Sequence, residues 1–352
     1  MDAGSIPYIW SFAYDADDNI PIAAANAKYY PGILINQMKS TAYKKAAFET
    51  YWLADNANPA GVHARKWEIM GLSCEAALVD AIMLYLGLGK VTAGADWKVQ
   101  GSVSGDVDQI IAHLENNLLG TNYQAKEFYA KAAKGKLGTG MVKTSSGNIQ
   151  CLTCALDFVS PRLYNMATDT VLRTTYEPIF RGSKSPKNPY VVKGNANIAL
   201  TWNSLTLSKF FADYAVSWEN DIGVLLDESS SYWGSEILNG GHRKFSDIAI
   251  DFAIPAVASI GDLDNLEDSV DSTTKQDLTL KVPRRHTSDY LQFVFKNAYL
   301  AQKPTVPAPR GESGPRTASA VFTGITDIEI TEQTYTAAGV PDPNVAADYN
   351  QA

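Results

Sequence analysis

The sequence predicts an α+β protein: a mostly antiparallel β-sandwich or barrel, with flanking helices concentrated in its N-terminal part. Three observations lead there. Segments of the second half alternate one apolar and one polar residue: Ile198, Leu200 and Trp202; Tyr214, Val216 and Trp218; Ile248, Ile250, Phe252 and Ile254, with Asp247 and Asp251 facing the other way; Leu278, Leu280 and Val282 among Asp277, Thr279 and Lys281. A period of two puts one face on a core and the other in water or against a partner, as in antiparallel sheets. The first 140 residues instead carry apolar residues at helical spacing, and the texture changes at Gly138.

Taken in order, residues 40–56 predict a helix with Tyr43, Ala47, Phe48, Tyr51 and Trp52 near one side. Ser73 can cap a second helix through Leu78, Val79, Ile82, Met83 and Leu86, with Gly87 and Gly89 at its stop. Ser104 opens a third, carried by Val107, Ile110, Ile111, Leu114 and Leu118 and closed by Gly120. Thr121 and Gln124 have the form of a capping box for a fourth, running through Tyr129 and Ala132. Met141 to Thr144, the turn Ser145-Ser146-Gly147 and Ile149 to Ser160 read as a hairpin. Thr168 to Phe180 reads as a strand, and Arg181 to Pro189 as a loop. After the alternating strands, which Asn239-Gly240-Gly241 punctuates as a turn, come a proline-rich connection over 302–316 and a final strand from Phe322 to Ile330. The expected division is a helix-richer part over 1–140, a β-rich domain over 141–338 and an extended tail over 339–352, with no exact internal repeat.

Composition narrows the function. The 352 residues are 45% hydrophobic and 11% aromatic, which excludes disorder as the dominant state, and 19% charged, below the usual quarter. A net charge of −8 argues against a protein that grips nucleic acid; the basic runs Lys131 to Lys136 and Arg284-Arg285-His286 are short and read as solvated surface. Met1 to Asn19 has neither the basic start nor the apolar core of a signal peptide, and no stretch approaches the 18 or so apolar residues that span a bilayer. The expectation is a soluble chain made in a cytoplasm.

No reactive signature accompanies the strands, and no catalytic, cofactor or metal residue is assigned. Cys151 and Cys154 are spaced C-x-x-C, but on a strand they point to opposite faces, so the reading is one core and one surface cysteine. His63, His113, His242 and His286 are far apart and take surface or structural roles. Gly138 to Thr144 resembles a phosphate loop, yet Val142 stands where glycine is required before the lysine. Gly87-Leu88-Gly89 lacks a third glycine and follows a helix. The acidic loops Asp15, Asp17, Asp18 and Asp262, Asp264, Glu267, Asp268, Asp271 miss the glycine and glutamate of a calcium loop and read as solvated turns. No G-x-S-x-G elbow is present, and a glycosidase-type carboxylate pair has no local signature either way.

The order of the β-rich half resembles that of phage tail tube proteins of the siphovirus type. Gly147 to Val159 followed by Val171 to Gly182 is similar to the family's paired strands. Ile198 to Trp202 and then Tyr214 to Asp221, closing on Trp218-Glu219-Asn220-Asp221, resemble the next two. Gly241-His242-Arg243-Lys244 leading into Ile248 to Ile254 resembles the glycine-and-basic turn that begins the following strand, and Thr323-Gly324-Ile325 fits the last. Trp67 to Gly71, before a helix ending at Leu86-Gly87, is similar to the family's strand–helix element.

The resemblance covers about residues 140–335. It implies a β-sandwich flanked by a helix, assembled into stacked rings around a lumen in a virion tail, with no catalytic residues to transfer. The partners it implies are further copies of the chain, in a hexameric or pseudo-hexameric trimeric ring, and other tail proteins. DNA would pass without sequence-specific binding, and no membrane or cofactor is involved. An acidic lumen would repel phosphate, so the genome slides. A carbohydrate-binding or surface-adhesion β-sandwich using Tyr232 and Trp233, and a hydrolase with unmarked carboxylates, are the other readings.

Overall fold

The computed structural model of the chain describes residues 9–14, 33–40, 45–52, 55–67, 70–79, 81–88, 90–92, 97–104, 107, 110–116, 123–144, 147–163, 170–173, 189–208, 211–226, 235–254, 266, 275–284, 289–302 and 316–333. The first part holds β1 (Ile9–Tyr14), β2 (Ile33–Ser40), β3 (Lys45–Trp52), β4 (Asp55–Trp67), β5 (Met70–Ala77), α1 (Ile82–Leu88), β6 (Lys90–Thr92), β7 (Trp97–Ser102) and β8 (Ile110–Asn116). Next come the long β9 (Tyr123–Thr144) and β10 (Gly147–Leu163), then β11 (Thr170–Arg173), β12 (Ala199–Trp202), β13 (Leu205–Thr206) and β14 (Phe211–Leu226). The chain closes with β15 (Ser235–Phe245), β16 (Ile248–Ile254), β17 (Gln276–Pro283), β18 (Tyr290–Gln302), β19 (Arg316–Thr323) and β20 (Asp327–Gln333).

Eighteen strands hydrogen-bond into one network, and β3 and β4 form a separate pair. The fold is β-rich, antiparallel and sandwich-like. One layer runs β2-β5-β10-β9-β14-β16-β19. The other runs β12-β17-β18-β20-β7-β6. Strand β18 serves both: Tyr290 to Lys296 pair with β20, and Tyr299 to Gln302 turn onto β19. Such a strand makes the corner of a sandwich.

The alternating segments supply the core as expected. Burial alternates strictly along β16, and its four inward residues Ile248, Ile250, Phe252 and Ile254 are all at or below 1% exposed. Across the layers Tyr214 meets Phe293 at 6.1 Å between ring centroids, and Trp202 meets Phe322 edge-on at 5.4 Å. Trp202 also donates its indole N–H to the Ala298 carbonyl at 3.2 Å, so its polar atom is satisfied in an apolar interior. Each such side chain stabilises the fold by about 1.5–3 kcal/mol through burial.

The helical expectations for the first part are corrected. Residues 110–116 are strand β8, paired on one side with β1 and on the other with β9. The segment expected as a capped helix through Ala132 is the start of the 22-residue β9. Residues 45–52, inside the expected first helix, are β3. Ser73 lies in β5 opposite Asp157, and helix begins only at Ile82, ending at Leu88 where the glycines predicted a stop. The physical reason is tertiary override. Short apolar stripes fit either period, Ile110-Ile111 is β-branched, and ladders on both edges satisfy every backbone group at once. The boundary expected near residue 140 falls inside β9, and β7 of the first part pairs with β20 of the last.

The second half departs in three places. Asn239-Gly240-Gly241 is no turn but an interruption within β15, where Gly241 has φ of +69°. The single final strand is two, β19 and β20, joined through Gly324 at φ of +78°. Strand β18, central to both layers, was missed although Leu291, Phe293 and Phe295 alternate in it. The hairpin of β9 and β10 is as expected, with Thr144 opposite Gly147. The tail after Gly339, Arg181 to Lys187, most of the 302–316 connection, both acidic loops except Leu266, and Tyr232 and Trp233 lie outside the described residues.

Candidate functional site

Helix α1 packs against β7, β9 and β10 and is bonded to distant strands at both ends. Its sequence, IMLYLGL, has no acidic residue in the first turn and no basic residue in the last. Among the described residues, groups from distant strands bond to both ends. At the start, the Ala81 N–H donates to the Glu332 carboxylate of β20 at 3.1 Å. At the end, the Gly87 carbonyl accepts from the Trp218 indole at 3.0 Å and the Asn220 amide at 3.1 Å, and the Leu88 carbonyl accepts from the Arg243 guanidinium at 2.9 Å. A negative group at the N-terminus and a positive one at the C-terminus match the helix dipole, while the bonds satisfy groups every helix leaves orphaned.

The C-terminal cluster is closed on itself. Arg243 Nε donates to Asn220 Oδ1 at 2.6 Å, and the Asn220 amide also reaches the Ala132 carbonyl of β9 at 2.7 Å. The Arg243 backbone N–H donates to the Val103 carbonyl at 2.7 Å. Asn220 thus uses both amide hydrogens and its oxygen, a complete set for a buried amide.

Two glycines make room for this. A Cβ built on Gly87 would lie 2.7 Å from both Leu156 and the Trp218 ring, and one on Gly135 of β9 would overlap the Trp218 indole outright. Trp218 is 1% exposed and sits in a slot that only glycine leaves open.

The N-terminal cluster is ionic. Glu332 is fully buried in phase with Ile328 and Ile330, where an apolar residue belongs. Arg284 reaches it at 3.8 Å and Asp289 at 3.3 Å, and donates to the Tyr190 hydroxyl at 2.5 Å while lying 4.2 Å from that ring's centre. Burial, reinforced by Glu332, pushes the Tyr190 phenol well above its ordinary pKa, so Arg284 meets a neutral ring.

Strand edges are the second notable feature. Among the described residues β1, β2, β6, β11, β13 and β15 each pair with a single strand. Beyond Asn220, residues 222–226 of β14 pair only with 235–239 of β15. On the outer face Asp157, Lys134, Glu219 and Lys244 are register partners across β10, β9, β14 and β15, all exposed, in a row of alternating sign. The Lys134–Glu219 pair, 2.5 Å apart, has side chains 60% and 59% exposed and adds little stability.

Cys154 lies in the main core, and Cys151 on the opposite face in a small cluster with Ala77 and Val142. The opposite-face expectation holds, but Cys151 is buried and not at the surface. Residues 190–192 run along β10 there, with a bridge between Cys151 and Val191. Burial raises Cys74 to about 12 and Cys151 to about 11, and Cys154 well above its ordinary value. Such thiols are poor nucleophiles and ligands. Gly138 to Thr144 is plain strand in β9, where Thr139 donates to Asp213 at 2.7 Å. His242 is exposed beside Arg243, and His63 and His113 fall in β4 and β8. Among the described residues no three His, Cys, Asp or Glu are grouped to hold a metal, and no helix is long and apolar enough to cross a membrane.

The sequence reading missed the roles of Glu332 and Tyr190, took Arg284 and Lys131 for solvated surface where the structure buries both side chains, and named Asn220 and Arg243 without a role; Arg285 and His286 lie outside the described residues. The available signal was phase: Glu332 continues Ile328 and Ile330, and Asn220 continues Tyr214, Val216 and Trp218. No family model and no curated protein matches the chain.

Proposed function

We propose that the chain is a virion structural protein, a tail tube subunit that self-assembles into stacked rings forming a conduit for the genome. The observation that carries this reading is convergence at α1. Three segments that resemble the tail tube family, Leu86-Gly87, Trp218 to Asp221 and Gly241 to Lys244, are distant in sequence and meet in one hydrogen-bonded cluster. In this reading α1, the helix they dock, takes the place of the flanking helix that the resemblance implies. The single-partner strands fit the same reading, since edges left open in one copy are closed when a second copy pairs with them.

The chemistry of the described residues is structural: the buried ionic groups are engaged with helix ends, and the outer charges with one another. The row of Asp157, Lys134, Glu219 and Lys244 alternates in sign, so that exposed face offers phosphate no basic grip. Size-exclusion chromatography with light scattering, followed by negative-stain microscopy, tests the assembly. Rings or tubes are expected, sixfold if each chain supplies one tube unit and threefold if it supplies two. A monodisperse monomer at high concentration, with no ring in any field, overturns the reading.

A further inference from the structure

We propose that Asn220, Arg243 and the C-terminus of α1 form a clasp that sets the direction of the distal β14–β15 ribbon, and that the ribbon pivots at a glycine interruption when the clasp is opened. The register shows the pivot. Asn220 pairs with Arg243 and Ile222 with Asn239, so Asp221 alone stands opposite Gly240, Gly241 and His242. An uneven bulge of this kind breaks the ladder and bends the strand pair. Gly241, at φ of +69°, occupies a conformation that other residues rarely adopt.

On the near side of the bulge β14 is held by β9 as well as β15, through Val216 to Glu219. On the far side, 222–226 and 235–239 pair only with each other among the described residues. A two-stranded ribbon is marginal by itself, so its direction is decided at its root. The root is where the clasp lies. Arg243 on β15 and Asn220 on β14 bond to each other across the ladder, and each also bonds to the end of α1. They are 4% and 9% exposed, so water cannot replace a lost partner cheaply. Because α1 is also tied to β20 through Glu332, the ribbon's root is referred to both layers of the sandwich.

The clasp acts within one subunit, whatever that subunit assembles into. In a tube it would present the ribbon's edges, unpaired among the described residues, to a neighbouring copy at a fixed angle. The test is hydrogen–deuterium exchange on the full-length chain, resolved by peptide, for the wild type, Arg243→Met and Arg243→Lys, under conditions where all are monodisperse. Methionine keeps an apolar stem and removes every donor. Lysine keeps the charge and a donor for Leu88 while losing the planar bond to Asn220. The expected result is exchange about tenfold faster over 222–226 and 235–239 in Arg243→Met, a smaller increase in Arg243→Lys, and less than about twofold change over 248–254 and 278–295. Unchanged ribbon exchange in either folded variant overturns the proposal, as does equal acceleration of ribbon and sandwich. If Arg243→Met does not fold, Arg243→Lys decides alone. Ring formation, scored separately by microscopy, leaves this outcome unaffected, so the clasp and the tube reading can fail independently.

Discussion

Replacing Gly135 with alanine probes the slot that holds Trp218. The added methyl would overlap an indole that cannot retreat: Gly87 of α1 packs against the same ring, and the ring nitrogen is bonded to the Gly87 carbonyl at 3.0 Å. Overpacking of a rigid, buried group costs about 1–3 kcal/mol, and alanine's gain from a stiffer unfolded chain offsets about 0.4–1 kcal/mol of that. Because the methyl would overlap the ring outright, the upper end of that range applies and the net expectation is a loss of about 2 kcal/mol. Trp218→Phe removes the indole hydrogen bond, about 1 kcal/mol, and leaves a void costing about 1–2 kcal/mol. In that background the methyl at 135 enters space the smaller ring has vacated, so its cost should fall below about 1 kcal/mol. The double-mutant cycle should therefore give a coupling of at least about 1 kcal/mol. Equilibrium urea unfolding followed by circular dichroism measures all four proteins, with an unchanged m-value required for the comparison. If the two single costs simply add within about 0.5 kcal/mol, the slot does not constrain Trp218 and the packing rationale for both glycines is wrong.

Three further outcomes follow from the buried groups. Ellman's reagent at pH 8 should titrate none of Cys74, Cys151 and Cys154 in the native chain and all three in denaturant, because burial holds Cys74 at about 12 and Cys151 at about 11. A raised thiol pKa stabilises the fold fully below the unfolded value of 9.0 and is lost as pH rises toward about 12, so the urea midpoint should fall across that window, less steeply in Cys74→Ala; equal slopes would refute the assignment. Glu332→Gln should lower stability by about 2–4 kcal/mol, since it leaves Arg284 buried beside a neutral amide while retaining an acceptor for Ala81. Glu332→Ala should cost more, and a wild-type midpoint for Glu332→Gln would show that the ion pair is idle.

Legibility divided along a physical line. Where alternation persisted over three or four pairs, as from Ile248 to Ile254, the strand and its buried face could both be read, because only one assignment buries every apolar residue. Where the apolar stripe was short, as from Val107 to Leu118, the helical and extended periods fitted equally, and the pairing of β8 between β1 and β9 decided the matter from outside the window. The glycines after Leu86 marked the end of α1 correctly, whereas Ser73 was read as its cap although Asp80 stands nearer its start, and the carboxylate that bonds the Ala81 N–H comes from Glu332, 251 positions along the chain. The two-residue turn at Asn203 and Ser204, with φ of +47° and +64°, lacks the glycine that makes such hairpins conspicuous, and β13 went unseen with it. The candidate site was half visible. Asn220 and Arg243 stood in segments already singled out, yet a carboxylate in core phase at Glu332 was passed over.

These particulars bear on why a seven-residue apolar helix survives in a chain otherwise built of strands. A helix this short is unstable in isolation, and its own seven residues carry no acidic group in the first turn and no basic group in the last. It persists because Glu332, Trp218, Asn220 and Arg243 supply what its own residues lack, and because Gly87 and Gly135 let an indole close over it. The dependence runs in both directions. Remove the helix, and two buried charges, an amide and an indole lose partners that water cannot reach. The cluster therefore joins β9, β14 and β15 of one layer to β20 of the other through a single element. Among the described residues the strands remote from it, such as β2 and β6, pair on one side only. In the proposed ring, a cross-tied centre of this kind would let such edges meet a neighbouring copy without repacking the core.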